Sequence, residues 1–126
     1  MLVMGVSLCQ VFALKYLDPP FTVNMAYERL CFEIWETRYV RPSYQWRDIE
    51  AISPFLQQAV LASEDQRFLI HKGFDFHEIK IVIRDILEKQ RFRGASTITM
   101  QAARSLFLPA SRNPLRKIPE AWYTLL

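Results

Sequence analysis

The stretch SEDQRFLIHKGFD, Ser63 to Asp75, sets two carboxylates side by side, Glu64 and Asp65, at the end of an apolar segment, LQQAVLA. A histidine, His71, and a glycine turn at Gly73 follow within a few residues. Upstream, Ser53-Pro54 reads as a helix start, with serine as the capping residue and proline at the first helical position. From there Leu56, Val60 and Glu64 fall at steps of four on one face. Glu64 therefore extends an apolar stripe, and a carboxylate so placed is either partnered or has its pKa raised by desolvation. That tuning is what a general base or acid needs. A helix-end cap or salt bridge is the plainer reading of the same glutamate.

Downstream, Asp75 opens a helix, with Glu78 three residues on in the manner of a capping box. Ile79, Val82, Ile83, Ile86 and Leu87 repeat at helical spacing and define a core helix, with Lys80, Arg84, Asp85 and Glu88 on its solvated face. After the basic turn KQRFRG, the segment GASTITMQAARSLFLP starts another helix, with Ser96 as N-cap and Ile98, Ala102 and Leu106 toward the core. Thr97, Gln101 and Arg104 share a different face, where hydroxyl, amide and guanidinium suit a sugar or a phosphate; a solvated surface is the plainer reading. Gly94 lets the backbone approach closely before a helix N-terminus that favours anions. In SRNPLRKIPEAWYTLL, Asn113-Pro114 is a second cap-and-proline start. Pro119 inside that helix would cost about 3 kcal/mol, so the helix begins at Pro119 or kinks there.

The chain of 126 residues allows one domain with one modest core; half its residues are hydrophobic and only three are glycine, which excludes a disordered or collagen-like chain. Cys9 and Cys31 are too few and too separated for a disulfide framework or a zinc site and read as small buried residues. The net charge of +3 and pI near 9.0 suit an anionic partner such as a phospholipid surface or a diphosphate, and the basic residues thicken between Arg84 and Lys117. The first 18 residues hold an apolar run broken by Gln10 and Lys15 and stopped by Pro19-Pro20, slightly short of the roughly 20 residues of a spanning helix. A partial membrane anchor, a signal-peptide remnant and a buried first helix compete there, and the anchor is favoured. A helix is expected around Asn24–Thr37, then an extended link through Arg41-Pro42. The aromatics interleaved with arginine in this region read as a half-buried face near a membrane or partner, not as a nucleic-acid surface. No strand alternation long enough for a sheet occurs, nor any Gly-rich phosphate loop, CxxC pair or HExxH helix.

Three segments, EDQRFLIHKGFD, GASTITMQ and RKIPE, resemble in order the first three motifs of the peptidoglycan glycosyltransferases, glycosyltransferase family 51. The family forms are ED-x-x-F-x-x-H-x-G, G-x-S-T-x-x-Q-Q and R-K-x-x-E. The flanking YQWRDIEAISPFLQQAVLASEDQ and EAWYTLL are most similar to its monofunctional biosynthetic members, and the resemblance covers about Pro19 to Leu126. It implies a mainly α, lysozyme-like glycosyltransferase domain over residues 19–126, incomplete at its C-terminal end, behind an anchor at residues 1–18.

The reaction so implied polymerises glycan strands from lipid II. The growing strand, held through MurNAc C1 on a polyprenyl diphosphate, is attacked by the GlcNAc 4-hydroxyl of lipid II, forming a β-1,4 bond with inversion. By resemblance Glu64 is the catalytic base, framed by Phe68, His71 and Gly73, and Asp65 stands on the substrate side. Ser96, Thr97 and Gln101 would hold substrate or shape the cleft. Arg104, Arg112, Arg116 and Lys117 would meet the diphosphate. Glu120 matches a second catalytic glutamate, on the donor side, organising the basic residues and, indirectly, a divalent cation, Mg²⁺ or Mn²⁺. The implied partners are lipid II, the growing strand, the membrane and other cell-wall synthesis or division proteins. The implied place is the periplasmic face of a bacterial inner membrane, on a single-pass anchor.

The sequence departs from the pattern at Met100, where the first glutamine of the pair is expected, at Arg104-Ser105 for lysine-asparagine, and at Pro119 inside the third motif. The K-x-x-I-L-E-x-Y-L-N segment of the family does not occur. Two further readings follow. One is a truncated or degenerate member that binds lipid II or a partner without catalysis. The other is a lysozyme-like lytic hydrolase with Glu64 as general acid, which the basic cluster disfavours because glycan cleavage releases no diphosphate.

Overall fold

A computed structural model of the chain describes residues 2–35, 43–89, 94–110 and 113–126. The helix order is α1 (Leu2–Leu14), α2 (Val23–Trp35), a 3-10 turn at Ile49–Ala51, α3 (Pro54–Glu64), α4 (Phe76–Lys89), α5 (Ile98–Phe107), a 3-10 turn at Pro114–Arg116 and α6 (Lys117–Leu125). Among the described residues no strand forms; one isolated bridge joins Lys72 to Phe74. The mainly α class expected from the sequence is what folds. The predicted link through Arg41-Pro42 lies outside the described residues, as does most of the KQRFRG turn.

Local chemistry sets the helix ends. Pro54 occupies the first turn of α3 as expected, but the Ser53 hydroxyl makes no capping bond. Asp75 caps α4, its Oδ1 accepting from the His77 and Glu78 N–H groups at 2.9 and 3.1 Å. The cap of α5 is Thr97, not Ser96: its hydroxyl accepts from Met100 N at 3.2 Å. Asn113 accepts from Leu115 N and starts only the 3-10 turn, and α6 follows from Lys117. Pro119 is neither a start nor an interruption, because it falls in the first turn of α6, where an N–H has no intrahelical acceptor to lose.

α5 is the centre of the packing, against α6 on one side and α2 on another. Among the described residues the buried apolar ones are few: Pro19, Val82, Ala103 and Leu108. The buried polar group is larger, comprising Ser7, Asp65, Asp75, Thr97, Glu120 and Thr124. The described part of the chain is therefore tied together as much by directed hydrogen bonds as by apolar burial.

Several expectations change accordingly. α3 buries none of its residues, and Leu56 and Val60 are exposed, so the stripe leading to Glu64 is an open face. In α4 only Val82 is buried; Ile79 and Ile86 are half-buried while Ile83 and Leu87 are exposed. In α5 the buried position is Ala103, whereas Ala102 is exposed and Ile98 and Leu106 are half-buried. Cys9 is exposed and Cys31 half-buried; both are free thiols. Periodicity identifies a face fit for burial, and burial itself needs a partner across it.

Glycine is required at one turn. Gly73 has φ +80°, and a Cβ there would lie 2.9 Å from the Thr124 carbonyl oxygen. The loop after Asp65 thus packs against the end of α6 through backbone that only glycine permits. Gly73→Ala is expected to lower stability by about 1–3 kcal/mol in denaturant unfolding, from strain and collision together; an unchanged midpoint would disprove the close approach. Gly94 has no such role, since a Cβ there would meet nothing within 4 Å.

Candidate active site

The loop between α3 and α4 is organised by Asp65. Its buried carboxylate meets His71 Nε2 at 2.9 and 3.0 Å and accepts from Ile98 N at 3.0 Å. The Thr97 hydroxyl donates to the Gly73 carbonyl. The ED segment, the His-x-Gly turn and the start of α5 are therefore one hydrogen-bonded unit, although 33 residues separate Asp65 from Ile98. Phe68 stands edge-on to His71, ring centroids 6.1 Å apart. Phe68, His71 and Gly73 all lie on this loop. Asp65 and Thr97 prove to be internal fasteners of that loop.

Arg67, which sequence reasoning passed over, donates from Nε to Asp75 Oδ2 at 2.9 Å. Burial alone would raise the Asp75 pKa, but the Glu78 N–H, the Arg67 charge and the His77 N–H outweigh it and hold the carboxyl below its ordinary 3.8. A carboxyl with a depressed folded-state pKa stabilises fully above its unfolded pKa, and that stabilisation disappears as pH falls through the lower folded value. Unfolding followed from pH 6 to about pH 2 should therefore show stability falling below about pH 4. In Asp75→Asn that contribution to the fall should be absent; an identical acid limb in both proteins would contradict the assignment.

Glu64 ends α3 at the rim of a cleft of about 270 Å³, which is also lined by Arg67, Glu78, Ala95 and Ser96. Its side chain is exposed, not buried on an apolar stripe, and its partner is Gln101, whose Nε2 donates to Glu64 Oε2 at 2.9 Å. Oε2 is thereby engaged, and Glu64 stays open to the cleft. Of the face predicted on α5, Thr97 points inward, Gln101 reaches Glu64, and Arg104 lines a separate cleft. These three do not form one polar stripe.

That second cleft, about 240 Å³, lies between α2, α5 and the turn before α6, with Thr22, Asn24, Arg104, Ser105, Leu108 and Arg116 on its wall. Asn24 was not singled out from the sequence. Its Oδ1 accepts from Ala110 N at 2.7 Å and fastens the end of the α5 segment to the start of α2. Beyond Arg116, Glu120 is fully buried at 0% exposure, and Lys117 Nζ donates to its Oε1 at 2.7 Å. Glu120 Oε2 and Arg116 Nε are buried and find no hydrogen-bond partner among the described residues. Each such orphan costs about 1–3 kcal/mol unless a ligand or further protein meets it. Arg112 lies outside the described residues.

Two places could be considered for a cation. Asp65, His71 and Asp75 bring possible ligand atoms within 4.8 Å of one another. Those carboxylates already serve His71, Ile98 N, Arg67 and the cap of α4, so their chemistry is that of a structural cluster. Glu120 Oε2 is different, being a buried carboxylate oxygen with no partner beside basic residues. Its full burial, however, leaves no opening for the substrate oxygens and waters that complete a Mg²⁺ shell, so it does not by itself make a cation site.

Paired acids on a histidine-glycine loop and basic residues before a buried glutamate are thus held on one helical scaffold. A family model described as Transglycosylase matches residues 33–126, and the chain belongs to that family. It is 44% identical over 120 residues to the biosynthetic peptidoglycan transglycosylase of Shewanella oneidensis, covering 95% of this chain and 50% of that protein. Identically named proteins of Xylella fastidiosa (strain 9a5c) and Xanthomonas campestris pv. campestris (strain B100) are 41% and 43% identical, over 94% and 95% of this chain and 49% of each relative. The chain thus spans about half the length of the curated relatives it matches. No solved structure matches it.

Proposed function

We propose that the protein polymerises peptidoglycan glycan strands from lipid II, with Glu64 as the base and the Arg104–Arg116 cleft as the diphosphate side. The observation that carries this is the placement along α5. Gln101 holds Glu64, and three residues later, about 4.5 Å along the helix axis, Arg104 lines the basic cleft. A transfer that deprotonates a sugar hydroxyl and expels a diphosphate needs both functions held on one rigid scaffold.

The acceptor 4-hydroxyl loses its proton to the exposed Glu64 carboxylate as its oxygen bonds to the donor C1. Gln101 keeps that carboxylate turned into the cleft. The C1–oxygen bond to the polyprenyl diphosphate breaks, and Arg104, Arg116 and Lys117 compensate the charge that develops on the leaving group. Glu120 sets Lys117 through its Oε1. A divalent cation bound with the diphosphate would supply Lewis-acid stabilisation, with Glu120 acting on it only indirectly, through Lys117 and the other basic residues. A lytic hydrolase would have no use for the basic cleft.

The place of action follows from the substrate: the cell envelope, at the outer face of the bacterial inner membrane, with lipid II and the growing strand as partners. No described helix is long and apolar enough to cross a membrane; α1 has 13 residues. Its exposed Leu2, Val3, Leu8 and Phe12 suit contact with lipid. Polymerisation of labelled lipid II in detergent with Mg²⁺, by this chain and by a form extended to the length of its relatives, tests the proposal. Glycan from the extended form that disappears in Arg116→Ala supports it. Lipid II left intact by a well-folded extended form would overturn it.

A further inference from the structure

α1 is apolar and exposed along most of its length, yet one of its side chains is buried: Ser7, at 2% exposure. The cause is a contact 115 residues away. Trp122 Nε1 of α6 donates to Ser7 Oγ at 2.8 Å, and the same hydroxyl donates to the Met4 carbonyl at 3.1 Å. One turn on, and therefore on the same face of α1, Gln10 Oε1 accepts from the Tyr123 hydroxyl at 2.6 Å. Burial raises the Tyr123 phenol pKa. Its ring also stacks on Phe107 of α5, centroids 4.4 Å apart and nearly parallel.

We propose that Ser7 and Gln10 are positioning residues that seat the N-terminal apolar helix on α6. An apolar helix that served only as a hydrophobic tether would need neither polar group, and both cost free energy in lipid unless paired. Here both are paired, to adjacent residues of one helix.

α6 is the element on which the rest depends. It carries Glu120, whose carbonyl accepts from the Thr124 hydroxyl at 2.8 Å, and its end abuts the Gly73 loop. Seating α1 thus braces α6, the helix that carries Glu120 and whose end abuts the loop that follows Glu64. The significance of Glu120 rests on the transferase reading; the seating does not.

The test is a pair of double-mutant cycles on the chain in detergent, Ser7→Ala with Trp122→Phe and Gln10→Leu with Tyr123→Phe, read by denaturant unfolding. Each pair should show a coupling of about three- to tenfold in the unfolding constant. Amide hydrogen exchange across residues 117–125 should quicken by a similar factor in Ser7→Ala and Gln10→Leu. It should return to the parent rate in Gln10→Glu, which keeps an acceptor oxygen. Additive effects in both cycles, or unchanged exchange in α6, would overturn the seating. The Gln10–Tyr123 cycle stands alone if Trp122→Phe does not fold. Because neither readout uses lipid II, failure here leaves the transferase reading untouched, and failure to polymerise lipid II leaves the seating untouched.

Discussion

Glu64→Gln is expected to lower lipid II polymerisation, by a form extended to the length of its relatives, by about 10²- to 10⁴-fold, the range of a lost general base. The substitution keeps size and hydrogen bonding, and Gln101 can still donate to the remaining side-chain oxygen. Loss of rate therefore reports loss of the base and not collapse of the cleft. Since Glu64 is exposed and buries nothing, the unfolding midpoint should stay within about 0.5 kcal/mol of the parent. Lipid II binding should persist, because the Arg104–Arg116 cleft is untouched. A variant that polymerises at the parent rate would remove Glu64 from the chemistry.

The largest effect on stability is expected at Asp65. Asp65→Ala strips the acceptor from His71 Nε2 in the loop and from Ile98 N at the start of α5. Two polar groups left unsatisfied cost about 1–3 kcal/mol each, a large share of the roughly 5–15 kcal/mol typical of a whole domain. The loop between α3 and α4 would part from the start of α5, carrying Glu64 away from Gln101. Asp65→Asn, which keeps one acceptor oxygen, should cost less. The expected order in denaturant unfolding is parent, Asn, Ala. If Asp65→Ala unfolds within about 1 kcal/mol of the parent, the bridge from Asp65 to His71 and Ile98 is not what holds the loop.

Much of the local structure was legible because it depends on neighbours in the chain. Pro54 at the start of α3, Asp75 before α4 and the helical spacing in α4 act over three or four residues, and the elements form where these signals place them. The one-residue error at the α5 cap has a tertiary cause. Ser96 and Thr97 are equally good caps by type, but only the Thr97 hydroxyl also reaches the Gly73 carbonyl, which selects it. The motif positions around Glu64 and Glu120 were readable from residue type and order alone.

What the sequence by itself determined is where helices start, which residues carry charge, and which family pattern they follow. Tertiary structure decided which of those groups meet: Glu64 with Gln101, Asp65 with Ile98, Glu120 buried beside Lys117, and Ser7 beneath Trp122. It also decided that the apolar faces of α3 and α4 stay largely open. The reason is physical. Capping and helical periodicity are short-range and repeat along the chain, so they are written in neighbouring residues. Burial and hydrogen bonds between distant segments depend on which surfaces the fold brings together, and no local pattern encodes that.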